Sequence, residues 1–321
     1  MIKSKHILLT GGAGFIGSHL SEKLLSLGYR VTSIDNFDNF YSSDIKKKNI
    51  EVSLSHGNFK FFKTDIRNTL DFREKLTDKY DILIHLAAKA GVLPSIQNPL
   101  AYAETNIVGT LNLLEFAKEK GIRKFLFGSS SSIYGVNINV PWSENDNVLK
   151  PISPYAATKV SGELLGQVYS SLYNIQFLAL RFFTVFGPRQ RPDLAIHKFT
   201  KMILNGTPIP FYGDGLSRRD YTYIADIVNG IIGAIEYEDS RYEIINLGNN
   251  NPVTLIDLVN TIELVVGKKA IINSLPNQAG DVPITYANIE KAQTLLDYKP
   301  TVKIKEGIEK FYDWFNTIYN V

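Results

Sequence analysis

The chain contains no cysteine among its 321 residues. This absence excludes a disulfide framework, a thiolate metal site and a cysteine nucleophile. It does not identify the redox compartment, because a chain without cysteine tolerates an oxidising or a reducing environment. Whatever chemistry the protein performs must do without a thiol.

Long apolar runs and an excess of charge are also missing. No stretch approaches the ~18 consecutive apolar residues that indicate a membrane span. Residues 1–10 hold only a short apolar run that ends in glycines, which is not the pattern of a signal peptide. The 35 Lys and Arg nearly balance the 32 Asp and Glu, so the net charge is +3, too small to indicate nucleic acid as a partner. We expect a cytoplasmic protein that binds neither membrane nor nucleic acid.

The first half of the chain alternates between apolar runs and helical patterns. The six predicted strands cover residues 6–10, 30–35, 59–66, 81–88, 123–130 and 175–183. Helical patterns lie between them, including about 98–120 and about 154–173. Apolar strands separated by helices are typical of a parallel sheet covered on both faces. We therefore predict an α/β fold.

The second half is richer in proline, glycine and asparagine. Its predicted helices cover 194–205, 254–266 and 305–318, while 221–236 reads as a strand or turn followed by a helix. At roughly 150 residues per domain, the length predicts about two domains. No linker is obvious, so we predict interleaved domains. The first covers 1–183 and about 221–250, and the second covers 184–220 and 251–321.

The segment TGGAGFIG holds Gly11, Gly14 and Gly17 in the spacing G-x-x-G-x-x-G. At this glycine content the spacing occurs about 0.1 times by chance, so alone it is only suggestive. It gains weight because it follows a predicted strand, opens a helical pattern and precedes Asp35 at the end of the next strand. Such a turn brings backbone N–H groups and a helix N-terminus to a pyrophosphate. Asp35 would bind both ribose hydroxyls and repel a 2′-phosphate, which favours NAD over NADP. A glycine turn without a ligand is the alternative.

Other cofactor candidates follow from their position at strand ends. Asp65 and Ile66 end the third predicted strand, where side chains can flank an adenine ring. Leu86, Ala87 and Ala88 end the fourth, where small residues let a dinucleotide cross the strand ends. Close helix packing explains the two alanines equally well.

A tyrosine and a lysine, Tyr155 and Lys159, stand four residues apart in a predicted helix and so share a face. A nearby ammonium lowers the pKa of a phenol and makes it a usable base. This pattern occurs about 1.3 times at random, so by itself it says nothing. It gains weight from the run Ser129–Ser132, which follows the fifth strand. Ser130 is placed to hydrogen-bond a sugar hydroxyl or the phenol, although loop solvation explains one or two of the four serines.

These motifs together resemble the extended short-chain dehydrogenases/reductases, and more narrowly the nucleotide-sugar epimerases. The resemblance covers essentially the whole chain. Its motifs are TGGAGFIGSHL, Asp35-Asn36, Asp65-Ile66, HLAAKAGV, Asn106 in TNIVGT, SSSSIYG, YAATK, RFFTVFGP, RRDYTYIADIVNGI, NLGNNNPVTLIDLV and GDVPITYANIEKAQTLLDYKP.

The resemblance implies a Rossmann-type doubly wound parallel sheet that binds NAD, with a smaller, interleaved C-terminal domain that binds a nucleotide sugar and with no metal. The residues expected to bind NAD are Gly11, Gly14, Phe15, Ile16, Gly17, Asp35, Asn36, Asp65, Ile66, Leu86, Ala87, Ala88, Asn106, Tyr155 and Lys159. Relatives pair through two long helices, here about 98–120 and 154–173, so we expect a homodimer.

The resemblance also implies catalytic roles for three residues. Tyr155 would take the proton from the sugar 4-hydroxyl. Lys159 would lower the pKa of the phenol and hold the nicotinamide ribose, and Ser130 would bridge Tyr155 and the substrate. Hydride would pass from sugar C4 to NAD and return to the other face of the 4-keto sugar. The related 4,6-dehydratases need an Asp-Glu pair where Ser131 and Ser132 stand, and neither serine can act as that acid or base.

The sugar is expected to be UDP-glucuronate, because RFFTVFGPRQRPDLAIHKF resembles the UDP-glucuronate 4-epimerases. Thr184 and Arg191 would hold its C6 carboxylate, which a guanidinium can bind in bidentate fashion. Arg191 has the alternative of anchoring a loop. Arg219 would bind the UDP phosphates and Asp281 the uridine ribose. Thr285 stands where pocket size is gated in relatives and does not discriminate among sugars.

Two other functions stay open at this point. The same fold and catalytic residues suit UDP-glucose or UDP-N-acetylglucosamine as the substrate of a 4-epimerase. A non-catalytic NAD-binding regulator is the remote alternative, because a fold does not determine a function.

Overall fold

The computed structural model describes residues 5–146, 150–276 and 282–319. Contacts between Cα atoms divide the chain into two units. The first takes its described residues from Met1–Gly135, Asn147–Arg181 and Ile231–Ile245, and the second from Val136–Asp146, Phe182–Gly230 and Asn246–Val321. Within the described ranges, no helix is long and apolar enough to cross a membrane.

A seven-stranded sheet forms the centre of the first unit. Its strands are β1 (His6–Thr10), β2 (Arg30–Asp35), β3 (Phe59–Lys63), β4 (Ile82–His85), β5 (Lys124–Ser130), β6 (Gln176–Phe182) and β10 (Tyr242–Leu247). Their order is β10-β6-β5-β4-β1-β2-β3. β1 pairs in parallel with both β2 and β4, so the chain runs outward from β1 in both directions. This reversal creates a switch point, where ligands of doubly wound folds bind beyond the carboxyl ends of the strands.

Helices connect the strands of this sheet. They are α1 (Phe15–Ser26), α2 (Ser43–Leu54), α3 (Thr69–Lys75), α4 (Val92–Gln97), α5 (Pro99–Tyr102), α6 (Gly109–Lys120), α7 (Pro154–Tyr173) and α9 (Ile224–Glu236). The side chain of Ser153 caps α7 by accepting a hydrogen bond from the N–H of Ala156, while Pro154 occupies the first turn. These signals fix where α7 begins, and therefore where Tyr155 lies in its first turn.

Burial of large apolar side chains explains the stability of the first unit. Leu8, Phe72, Phe116, Phe125 and Phe177 are all fully buried in one core cluster. Full burial of each such side chain is worth about 1.5–3 kcal/mol. The core thus holds the strands whose ends carry the site.

The second unit contains smaller sheets. Its further elements are β7 (Thr184–Phe186), α8 (Ala195–Leu204), β8 (Ile209–Tyr212), β9 (Arg218–Tyr223), β11 (Pro252–Thr254), α10 (Leu255–Val266), β12 (Ile272–Leu275), α11 (Glu290–Leu296) and α12 (Ile304–Tyr319). One sheet has three strands in the order β11-β9-β7, and β12 pairs in parallel with β8.

Some elements differ from the sequence expectation. The stretch 98–120 is not one α-helix, because Ala103–Val108 forms a π-helical segment. Within α2, Lys46 lies buried although it belongs to a run of three lysines, and its ammonium donates to the carbonyl of Asp38. The return to the first unit begins at Ile231, ten residues later than the expected start near 221.

Candidate active site

The glycine turn between β1 and α1 is shaped by close backbone contacts. Gly11 has a φ of 74°, and a Cβ there would stand 2.7 Å from the nitrogen of Ala87. A Cβ on Gly17 would stand 2.2 Å from the carbonyl oxygen of Gly11. At Gly14 a Cβ would meet only that same oxygen, at 3.2 Å, so the space beside it is open. The first turn of α1 has neither an acidic residue nor a side-chain cap. An open glycine at an uncapped helix N-terminus fits a pyrophosphate.

Asp35 ties this turn to the end of β2. Its carboxylate accepts hydrogen bonds from the N–H groups of Ala13 at 3.2 Å and Phe37 at 2.8 Å. Burial raises the pKa of Asp35, and the charge of Lys46 and these two amides oppose that shift. The carboxylate is therefore fixed at the carboxyl edge of the sheet, where an NAD ribose would lie.

Asp65 lies beyond β3 and is strongly paired. It accepts two hydrogen bonds from the guanidinium of Arg67 and one from the amide of Asn36. Burial opposes its ionisation, but these bonds outweigh burial and lower the pKa of Asp65 to about 2. Asp65 and Arg67 also line a depression of about 600 Å³. Ile66 differs, because its side chain is buried against Gly109, so any cofactor contact would come from its main chain.

A buried hydrogen-bond chain supports the end of β4. His85 bonds Thr10 through Nδ1 at 2.8 Å and Thr110 through Nε2 at 3.0 Å. The hydroxyl of Thr10 also accepts from the N–H of Ala87 at 3.2 Å. Burial, and then the charge of Lys159, lower the pKa of His85 to about 3. A neutral His85 thus holds the strand end from which Leu86, Ala87 and Ala88 continue, all half-buried.

Asn106 is buried inside the π-helical segment. Its amide donates to the carbonyl of Lys89 at 2.9 Å and to the hydroxyl of Thr158 at 3.0 Å, and its Oδ1 accepts from the N–H of Lys89. Isolated π-helical turns often mark functional sites. This one connects the loop after β4 to α7, two elements that carry predicted site residues.

Tyr155 and Lys159 lie on α7. The ammonium of Lys159 donates to the carbonyl of Gly128 at 2.6 Å, and it stands 5.9 Å from the centre of the Tyr155 ring. Lys159 is fully buried, which lowers its pKa to about 8 although Glu163 opposes the shift. Tyr155 is half-buried, with its ring edge against Tyr102. The arrangement places an ammonium beside a phenol, as general base chemistry requires.

The serine run is mostly buried rather than solvated. Ser129, Ser130 and Ser131 are each less than a tenth exposed, so loop solvation is wrong for these three. Ser130 ends β5, and its hydroxyl accepts from the N–H of Ser132 at 3.1 Å. This bond caps the short 3-10 turn Ser131–Tyr134 and fixes the Ser130 side chain at the carboxyl edge of the sheet.

The second unit carries the predicted sugar-binding residues. Thr184 begins β7 and pairs with Tyr221 of β9. Arg191 forms a two-point ion pair with Asp193, at 3.0 and 2.8 Å. Arg219 lies on β9, half-buried, and donates to the carbonyl of Arg218.

Two further residues were considered for the substrate site from the sequence, Asp281 and Thr285. Asp281 lies outside the described residues. The hydroxyl of Thr285 accepts from the N–H of Asp220 at 3.0 Å. Thr285 is therefore engaged by the backbone of β9.

Sequence reasoning missed three buried polar residues behind these sites: His85, Glu163 and Arg181. Glu163 follows Lys159 by one helical turn, and Arg181 interrupts the apolar strand β6. A charged residue inside an otherwise apolar strand is almost never fully buried unless paired, and that signal was available. Among the described residues, no group of three His, Asp or Glu side chains is placed to hold a metal.

Comparison with known proteins adds a family. A family model described as GDP-mannose 4,6-dehydratase matches residues 8–311. A UDP-glucuronate 4-epimerase from Thermodesulfobacterium geofontis is 41% identical over 312 residues, covering 96% of this chain and 95% of that protein.

Two solved structures are also similar. The UDP-glucuronic acid 4-epimerase from Bacillus cereus, in complex with UDP-glucuronic acid and NAD, has a TM-score of 0.92 at 38% identity, covering 98% of this chain and 100% of that one. A UDP-glucose 4-epimerase with UDP-glucose from Thermotoga maritima has a TM-score of 0.89 at 32% identity, covering 98% and 99%. These neighbours share the fold and differ in the sugar named for them.

Proposed function

The chain belongs to the GDP-mannose 4,6-dehydratase family of extended short-chain dehydrogenases/reductases, and from that premise we propose that it is an NAD-dependent 4-epimerase that converts UDP-glucuronate into UDP-galacturonate. The observation that carries the proposal is the pairing of Tyr155 with the buried ammonium of Lys159, 5.9 Å from the ring centre. Ser131 and Ser132 stand where dehydration would need an acid and a base. Epimerisation at C4 needs neither.

Each residue of the catalytic group has a defined task. Tyr155 removes the proton from the sugar 4-hydroxyl and later returns one to the 4-keto oxygen. Lys159 stabilises the phenolate through its positive charge. Ser130 donates a hydrogen bond to the reacting oxygen. Bound NAD supplies the hydride acceptor, and it gives the hydride back to the opposite face of C4.

The first unit provides the cofactor site. The turn Gly11–Gly17 would bind the pyrophosphate, and Asp35 the adenosine ribose. Asp35 would repel the 2′-phosphate of NADP, and we therefore assign NAD. The second unit would bind the UDP-sugar through Thr184, Arg191 and Arg219, with Asp281 assigned from the sequence alone.

Glucuronate poses a hazard that glucose does not. Once C4 is a ketone, the sugar is a β-keto acid that can lose CO₂. Thr184 and Arg191 would hold the C6 carboxylate so that the bond to C5 stays out of overlap with the ketone. The relative that is named for UDP-glucuronate and whose structure contains UDP-glucuronic acid supports this choice of sugar.

The substrate is tested by incubating the purified protein separately with UDP-glucuronate, UDP-glucose and UDP-N-acetylglucosamine. Chromatography then measures the C4 epimer of each. We expect UDP-galacturonate to form at least tenfold faster than either other epimer. Faster conversion of a neutral sugar would move the assignment to the related epimerases. Bound NAD without conversion of any sugar would instead favour the regulator.

The role of Arg191 is tested by Arg191→Gln, with Lys201→Gln as the control, because Lys201 is exposed on α8. Loss of the guanidinium frees the carboxylate, so the ratio of UDP-pentose to UDP-galacturonate should rise about tenfold, as for one lost charge-assisted contact. The control should leave that ratio unchanged. If Arg191→Gln leaves both this ratio and KM unchanged, Arg191 does not bind the carboxylate and instead anchors a loop.

We also propose that the enzyme is cytoplasmic and works as a homodimer. Apolar side chains are exposed on both helices, and they support pairing through α6 and α7: Leu111, Leu164, Val168 and Leu172. The proposed location rests on the nature of NAD and UDP-sugars, which are soluble metabolites.

A further inference from the structure

A buried ion pair lies directly behind the catalytic group in the first unit. Glu163 on α7 is 4% exposed and Arg181 on β6 is 1% exposed. The guanidinium donates to the carboxylate through Nε at 3.0 Å and through Nη2 at 2.8 Å. Burying such a pair is costly unless further hydrogen bonds satisfy both groups. Both groups have such bonds, and their partners lie next to the turn that carries Ser130.

The two further bonds hold the segment that carries Ser130. The hydroxyl of Ser129 donates to Glu163 at 2.5 Å. The remaining terminal nitrogen of Arg181 donates to the hydroxyl of Tyr134 at 2.8 Å. Ser129 and Tyr134 are the residues just before and just after the stretch Ser130–Ile133. The ion pair therefore clamps both ends of the turn in which Ser130 lies.

The same carboxylate acts on the ammonium of Lys159. Glu163 follows Lys159 by four residues, so both point to one face of α7. Lys159 bonds the carbonyl of Gly128, and Glu163 bonds the hydroxyl of the next residue. The helix thus contacts two consecutive residues of β5 through an ammonium and a carboxylate. Burial lowers the pKa of Lys159, and the negative charge of Glu163 opposes that change.

From this geometry we propose that Glu163 is a positioning residue of the epimerase, which holds Ser130 in place through Ser129 and Arg181 and keeps Lys159 charged. The inference rests on the proposed function only for its activity readout. Tyr155 on α7 and His85 on β4 lie near Lys159, while Arg181 on β6 and the hydroxyl of Tyr242 on β10 bond Glu163. His85 is neutral because burial lowers its pKa to about 3, so Glu163 is the anion among the groups named.

The first test compares Ser129→Ala with wild type. This change removes one hydrogen bond to Glu163 and leaves both buried charges paired, so the fold should persist. We expect kcat to fall about tenfold, with KM for the UDP-sugar within twofold and an unchanged melting temperature. Wild-type kcat in Ser129→Ala would overturn the clamp.

The second test concerns charge. In Glu163→Gln the anion is lost and Arg181 remains, so Lys159 should lose its proton at lower pH than in wild type. In Glu163→Asp the charge remains, and the titration of Lys159 should stay close to that of wild type. Lysine-selective NMR, assigned with Lys159→Arg, follows this titration without substrate. An identical titration in Glu163→Gln and wild type would overturn the electrostatic part.

The third test separates positioning from stability. Lys124 lies at the other end of β5, where its buried ammonium donates to the carbonyls of Ile235 and Tyr237. Lys124→Gln should lower the melting temperature but leave kcat within twofold, whereas Glu163→Gln should lower kcat by about 10–100-fold, as misplacement of a catalytic group does. If the two variants lose the same kcat at the same loss of melting temperature, the role of Glu163 is merely structural. A wild type that converts no UDP-sugar would refute the proposed function and leave the NMR result standing.

Discussion

The proposed mechanism requires Lys159 to be positively charged, although its side chain is buried. Desolvation lowers its pKa from 10.5 to about 8, with Glu163 opposing. The amine is therefore charged at neutral pH and close to its titration point. A lysine in this state can stabilise a phenolate and still respond to a modest rise in pH.

We predict that kcat falls as the pH rises through about 8, because the neutral amine no longer stabilises the Tyr155 phenolate. A pH series of kcat from 6 to 10 measures this limb. Lys159→Arg serves as the control, since a guanidinium stays charged over this range. Its residual activity should show no alkaline limb, and a limb that persists there would assign the titration to another group.

The same shift has a consequence for stability with the opposite sign. The folded chain binds fewer protons on Lys159 than the unfolded chain between about 8 and 10.5. The free-energy contribution of this residue to folding therefore becomes more favourable as the pH rises through that window. Loss of activity above pH 8 would thus not reflect unfolding caused by Lys159.

At the scale of secondary-structure elements, the sequence predicts regular strands and helices better than it predicts a helix that a π-helical segment interrupts. β1, β2 and α7 have the predicted bounds, because apolar runs, a glycine turn and a Ser-Pro cap mark their ends locally. The π-helical segment is a rare, short interruption of a helix and has no such local signal. Asn106 within it bonds Lys89 and Thr158, which lie in other parts of the chain.

The residues of the candidate site also fall into those that the sequence predicts and those that it does not. Gly11, Asp35 and the pair Tyr155 and Lys159 are predictable because their chemistry depends on short spacings within one motif. Arg181 is predictable only as a buried charge that needs a partner, and Glu163 is not predictable as that partner, because the two residues meet only when α7 packs against β6. Neither spacing nor composition contains that contact.

Two glycines in α7 make this packing possible. A Cβ on Gly162 would stand 2.3 Å from the ring of Phe127, and one on Gly166 would stand 2.2 Å from the ring of Phe177. Phe127 also lies 4.9 Å below the ammonium of Lys159. The close approach of α7 to the sheet therefore sets both the core packing and the position of the proposed catalytic pair, Tyr155 and Lys159, relative to the sheet.

We predict that Gly162→Ala destabilises the fold by about 1–3 kcal/mol, the usual cost of overpacking, although alanine favours helices by about 1 kcal/mol over glycine. Gly166→Ala should destabilise to a similar extent. Gly162→Ala should also lower kcat, and by more than Gly166→Ala does, because it displaces the turn next to Lys159. Urea unfolding and kcat measure the two effects. Gly57→Ala is the control, since nothing lies within 4 Å of a Cβ there, and a matching loss in that variant would contradict the packing argument.

For the whole molecule, the small net charge of +3 does not describe the local positive charge that anionic ligands would need. The cofactor and the proposed substrate are both anions, and they would meet a helix N-terminus in the first unit and the arginines Arg191 and Arg219 in the second. Elsewhere, many surface charges pair with neighbours of opposite sign, as Arg73 does with Glu119. An almost neutral chain can therefore bind two anionic ligands through a few fixed groups.

The proposed homodimer would pair through an apolar stripe along α7. Leu164, Val168 and Leu172 follow one another at four-residue intervals and are 57%, 48% and 67% exposed. This spacing places them on one helical face, and α6 packs beside α7. An exposed apolar face of this kind is a candidate interaction site. We propose that a second copy of the chain covers this face.

We predict that Val168→Glu converts a dimer into a monomer, because pairing would bring two carboxylates into an apolar interface without partners. Light scattering after size-exclusion chromatography should show the mass fall from about 72 kDa, twice the 36.0 kDa of one chain, to that of a single chain. Leu264→Glu is the matched control, since Leu264 is 66% exposed on α10 in the second unit, and it should remain dimeric. A Val168→Glu protein that stays dimeric would place the interface elsewhere. Because the proposed catalytic pair lies on the same helix, the monomer should also show a lower melting temperature and a lower kcat.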